Sequence, residues 1–106
     1  MRLFTARCVA WQWHDADLID ILGAGGEVLN TLNKWQTWIF YEADGGRTVE
    51  NLLHWIFSHY RDQVPPPDLE NTILTSLNEL VYDMHAVQLV KDGPVLPDIF
   101  LEPRQN

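Results

Sequence analysis

The stretch LNKWQTWIFYEADGGRTVENLLHWIF, Leu32 to Phe57, decides how the chain is read. Asn33 stands where a helix N-cap belongs, because its side-chain oxygen accepts from the unpaired N–H groups of a first turn. Trp35, Trp38, Ile39 and Glu42 follow at helical spacing. Asp44-Gly45-Gly46 is then expected to end the run in a tight turn, since glycine closes a helix in the left-handed conformation without a Cβ penalty. Thr48 is the next N-cap, with Glu50 in the first turn complementing the helix dipole. The expectation is a helix, a short DG turn and a second helix.

Upstream, the pattern changes from a period near 3.6 to a period of two. Leu3 to Trp13 contains no Gly or Pro and alternates in part (Cys8 and Ala10 against Val9, Trp11 and Trp13), which suits a strand. His14 to Asp17 is a polar break. Leu18 to Leu22 reads as a second strand, with Leu18, Asp20 and Leu22 on one face and Ile19 and Ile21 on the other. Gly23-Ala24-Gly25-Gly26 is a turn, and Glu27 to Leu32 a third strand, so the last two strands form an antiparallel hairpin. Strands first and helices afterwards predict an α+β fold, an N-terminal antiparallel three-stranded sheet followed by three helices.

Downstream, Val49 to Arg61 is amphipathic, its core stripe formed by Val49, Leu52, Leu53, Ile56, Phe57 and Tyr60. Val64-Pro65-Pro66-Pro67 interrupts it. Asp68 starts a third helix, on which Leu69, Ile73, Leu74, Leu77, Leu80, Val81, Met84 and Val87 span an arc of about 140°. That is wider than one core contact needs, so the helix has apolar surface both for a sheet and for a groove. A short strand from Val87 to Lys91, a turn at Asp92-Gly93-Pro94 and a loosely held tail complete one domain, with its core at about 17–91 and its tail at 92–106.

Composition narrows the function. Among 106 residues there are 15 acidic and 7 basic side chains, a formal charge of -8 that repels phosphates and argues against nucleic acid or an anionic membrane as partner. One cysteine excludes an internal disulfide and fits a reducing compartment, and no run is long enough to span a membrane. A cytoplasmic protein is expected.

No acid–base or ligand constellation stands out. His54 and His59 are five apart, not the four that brings two ligands to one helix face. Cys8 sits in no nucleophile motif and reads as a small buried hydrophobe. The five tryptophans suit packing better than base stacking in so acidic a chain. Gly23 to Gly26 lacks the ending of a phosphate loop and joins two strands. Catalytic residues, bound metal and cofactor are all expected to be absent.

Leu32-Asn33, Ile39-Phe40, Asp44-Gly45, Arg47-Thr48-Val49 and Leu52, in that order and spacing after a β-hairpin, resemble the PqqD-like family, also called RiPP recognition elements. The likeness runs from the hairpin at Asp17 to the helix ending near Leu89, about 70 residues. It departs at His85-Ala86, where family members often carry a Gly after the third helix.

The resemblance implies a winged-helix-like fold without catalytic residues. Such a protein binds the leader segment of a ribosomally made precursor peptide and delivers it to a peptide-modifying enzyme or leader protease. The leader joins the third strand as an added strand and lies against the third helix. The candidate edge is Glu27, Val28, Leu29, Asn30, Thr31 and Leu32, and the candidate wall is Leu77, Leu80, Val81 and Met84. Either the Leu74/Val81 side or the Leu69/Leu80 side of the helix faces that cleft.

Two other classes compete. A winged helix-turn-helix DNA-binding regulator has a similar helix pair, yet Asp68 to Ala86 contains no Lys or Arg. A small protein–protein adaptor subunit is the other.

Overall fold

The computed structural model of the chain describes residues 2–94. It is an α+β protein with three helices and two small antiparallel sheets of three strands each. The strands are β1 (Phe4–Arg7), β2 (Trp11–Trp13), β3 (Ile19–Leu22), β4 (Val28–Thr31), β5 (Asp44–Thr48) and β6 (Val87–Val90). The helices are α1 (Lys34–Glu42), α2 (Val49–Ser58) and α3 (Leu69–Asn78), the last continued by a π-helical turn over Glu79–Asp83. One sheet has the order β2-β3-β4 and the other β5-β1-β6.

The expected N-terminal sheet therefore exists, and so does the short strand expected after the helices, here Val87–Val90, but that strand joins a second sheet and a further strand lies between α1 and α2. Two features account for the difference. The long strand expected from Leu3 to Trp13 is divided at Cys8–Ala10, because its halves serve different sheets. Arg7 N–H donates to Ala43 O at 2.9 Å and Cys8 N–H to Ala86 O at 3.0 Å, whereas Ala10 O accepts from Leu22 N–H at 2.9 Å.

The second feature is β5, where a turn was expected. α1 closes at Ala43, whose N–H donates to Phe40 O. The next residues then pair with β1: Ala6 faces Asp44 and Thr5 faces Arg47, leaving Gly45 and Gly46 as a bulge. Gly45 takes φ +89, so the glycine there does need positive φ, but for a bulge within a strand. DGGRT carries no apolar alternation because it is a sheet edge, defined by a partner some 40 positions away.

The caps act as the sequence suggests. Asn33 and Thr48 both accept from the backbone three residues on, and Gln36 and Asn51 return the bond, giving two reciprocal capping boxes. Each cap is worth about 1 kcal/mol. α2 is shorter than the expected Val49–Arg61, ending at Ser58 and unwinding through i→i+3 bonds such as Tyr60 N–H to Phe57 O. Asp68 occupies the N-cap position of α3 in the left-handed conformation, at φ +55 and not in the extended one usual for a cap, and makes no side-chain cap bond. The tail lies, from residue 95, outside the described residues.

One core joins the layers. Ile19, Ile21 and Leu32 from the β2-β3-β4 sheet pack in the same cluster as Ile39 and Phe40 of α1, Leu52 and Ile56 of α2, and Ile73, Leu77 and Leu80 of the α3 segment. Each such fully buried aliphatic side chain contributes about 1.5–3 kcal/mol.

The α3 segment ends with His85 at φ +52, a conformation most side chains avoid. Replacing His85 by Gly relieves the Cβ clash at the cost of a more flexible unfolded chain. The expected result is a gain of up to about 1 kcal/mol in denaturant unfolding, with the midpoint moving upward.

Candidate functional site

Among the described residues four strands lie at sheet edges, and β4 is the one in which every residue is exposed. Val28 and Leu29 are 51% and 59% exposed, large values for apolar side chains in a strand. β3 lies on one side of β4, and no strand among the described residues pairs with the other. A free edge presents unpaired N–H and C=O groups in a row.

The ladder fixes which groups those are. Asn30 stands opposite Ile21 and Thr31 opposite Asp20, while Leu32 N–H donates to Ile19 O at 2.8 Å. Antiparallel bonding alternates, so Leu32 and Asn30 aim their main chain at β3 and Thr31 aims its N–H outward. A bulge between Ile21 and Leu22 against β4 adds twist at the Val28–Leu29 end. Asn30 shares the sheet face of Ile21, the face that packs into the core with α3.

Polar contacts hold β4 from the opposite face. Asp20 is 3% exposed and accepts from Thr31 Oγ1 at 2.6 Å and Gln12 Nε2 at 3.1 Å, with His14 Nδ1 at 3.2 Å. Asp20 thereby knits β2, β3 and β4 together. These hydrogen bonds, the Thr31 hydroxyl foremost, hold its carboxyl below the ordinary range against the opposing effect of burial.

The wall expected on the third helix divides in two. Leu77 and Leu80 are 4% and 0% exposed and belong to the core, as does Leu32 at the end of β4. Tight packing around them leaves no accessible surface, so they support the sheet and the helix and cannot line a groove. Val81 and Met84 are half-buried against the same core and have surface to offer. Leu69 is buried too, whereas Leu74 is half-buried, so the Leu74/Val81 side is the accessible one. Glu27 precedes β4 and folds back on the turn, where its Oε1 accepts from Gly25 N–H at 3.0 Å.

Gln36 was not evident as part of this region. Its Oε1 caps Asn33 N–H at 3.0 Å and its Nε2 donates to Glu79 Oε1 at 3.0 Å, joining the end of β4 to the π-helical turn. The N-x-x-Q spacing was readable as a capping box; the Glu79 contact, 43 positions away, was not.

The other reactive side chains have local duties. Cys8 is half-buried, its thiol pushed up by desolvation, and its Sγ donates to His85 O at 3.4 Å. Trp55 Nε1 donates to Glu42 at 3.0 Å, Arg47 lies 4.7 Å over the Trp55 ring, and Glu42 is 3.4 Å from Arg47. Arg47 and Trp55 line a shallow hollow with Asn51, His54 and Ser58. Among the described residues no three His, Cys, Asp or Glu side chains gather as metal ligands, and no helix is long and apolar enough to cross a membrane.

No family model matches the chain, and no curated protein or solved structure shows significant similarity to it.

Asp20 gives the site a pH dependence. A carboxyl depressed in the folded state stabilises it only while ionised, so its contribution is complete above about pH 4 and fades as pH falls through the native value. Asp20→Asn is expected to lower the thermal midpoint at neutral pH and to flatten the acid limb of a stability–pH profile relative to the parent chain.

Proposed function

We propose that the protein is a PqqD-like, winged-helix-like domain that captures the leader of a ribosomally made precursor peptide by strand addition and passes it to a modifying enzyme or leader protease in the cytoplasm. The observation that carries this reading is β4: a strand exposed along its whole length and open on one side, continued by Leu32 into the core that α3 shares. Main-chain pairing with an added strand would supply affinity, and side chains of alternate parity would meet Asn30 on one face and the Val81–Met84 surface beyond it. On this reading the chain itself needs no catalytic residue, metal or cofactor, since chemistry belongs to the enzyme that receives the peptide.

Amide exchange tests the reading directly. In the free protein Thr31 N–H, facing outward, should exchange fast and Asn30 N–H slowly. Adding the leader peptide of a neighbouring precursor gene should slow Thr31 while leaving Asn30 nearly unchanged. Protection confined to α2, with β4 and α3 unaffected, would overturn the proposal.

A pair of substitutions separates groove from core. Val81→Asp places a carboxylate on the half-buried wall and should weaken leader binding about tenfold or more while circular dichroism stays native. Leu80→Asp, at a fully buried position, should unfold the chain.

A further inference from the structure

We infer that the segment docking on β4 is cationic, carrying Lys or Arg between its apolar residues. This rests on the reading of β4 as the docking edge and specifies the chemistry of what docks there.

The argument is the uneven placement of charge. The part of the chain that builds β3 and β4, residues 17–34, holds the carboxylates of Asp17, Asp20 and Glu27 against one cation, Lys34. The α3 segment, residues 68–86, holds Asp68, Glu70, Glu79 and Asp83 and no Lys or Arg. Three of these carboxylates are engaged, Asp20 by Thr31, Glu27 by Gly25 N–H and Glu79 by Gln36. The other four belong to exposed residues.

Cations concentrate instead at the second sheet. Arg7 lies in β1 and Arg47 in β5, while Arg2 precedes β1 and Lys91 follows β6. Glu42, Asp44, Glu50 and Asp92 sit in the same stretches and balance these cations, so the excess negative charge falls on the β3–β4 and α3 segments. The carboxylates that flank the hairpin, Asp17 and Glu27, and, with α3 as the wall of the same groove, those of α3 act over roughly a Debye length, about 8 Å at physiological ionic strength, which spans a docked strand. An acidic segment would meet repulsion along its length, and a basic one attraction that also speeds encounter. Val28 and Leu29 supply the apolar complement for alternate positions.

Three synthetic peptides with one shared alternating pattern of Val, Ile and Leu, differing only in having Lys, Gln or Glu at the intervening positions, test the inference by amide-resolved NMR titration of the full chain. The Lys peptide is expected to perturb Val28–Thr31 and the Val81–Met84 surface, and to bind about tenfold tighter than the Gln peptide at low salt. The Glu peptide should bind weakest, and the Lys advantage should shrink as salt is added. In a Glu70→Gln, Asp83→Asn double variant, both exposed positions, the Lys preference should fall while the fold is retained. Equal affinities of the Lys and Glu peptides at β4 would overturn the cationic inference and leave strand addition standing. Perturbations elsewhere, or none on β4 with any of the three at millimolar concentration, would overturn strand addition as well.

Discussion

Gln36 holds together the two parts of the molecule on which the site depends. It is 7% exposed and uses both ends of its amide, one to cap the backbone of Asn33 and the other to reach Glu79. The first contact fixes the angle at which the chain leaves β4 and enters α1. The second ties that corner to the end of α3. A buried amide with both functions satisfied is directional where apolar packing is not, and losing one partner would leave the other group unpaired at a cost of about 1–3 kcal/mol. The apolar cluster beneath brings sheet and helix together; Gln36 and Glu79 set how they are aligned.

The end of α3 has a matching irregularity. The π-helical turn from Glu79 to Asp83 closes with Met84 N–H donating to Glu79 O at 2.9 Å, and Ala86 N–H then reaches Leu80 O at 2.8 Å. Such a turn widens the helix and shifts the register of the side chains that follow it. Here it lets Leu80 point into the core while Val81 and Met84 lie at its margin. A regular α-helical continuation would carry the apolar arc onward at an unbroken 100° per residue and would not separate these roles in the same way.

How far the sequence could be read follows from how local each signal is. The caps at Asn33 and Thr48, the Gly-rich hairpin, the Pro break before α3 and the amphipathic face of α2 are specified within a few residues, and the structure has them, except that Phe57, expected on the core stripe, is exposed. The edge strand β5 was hidden because Asp44-Gly45-Gly46 has the composition of a turn, and only pairing with β1 makes it a strand. The division of the first strand at Cys8–Ala10 was hidden for the same reason: its cause is two carbonyls, Ala43 O and Ala86 O, that arrive from later in the chain. In the candidate site, β4 was legible from its alternation and the hairpin. On α3 the periodicity marked an apolar arc but could not divide it into a buried side, with Leu77 and Leu80, and an accessible one, with Leu74 and Val81.

The complete exposure of β4 has a consequence for how this protein can change over time. Packing constrains a residue through the neighbours it must fit, and Val28 to Asn30 have few. Their backbone, held by β3 on one side, keeps its geometry under most substitutions that avoid proline. The strand can therefore drift in sequence while its free edge persists, and only Thr31, bound to Asp20, is pinned by its side chain. A lineage of such proteins would keep its hidden positions (Asp20, Gln36, Leu80) recognisable long after the residues of the open strand had diverged.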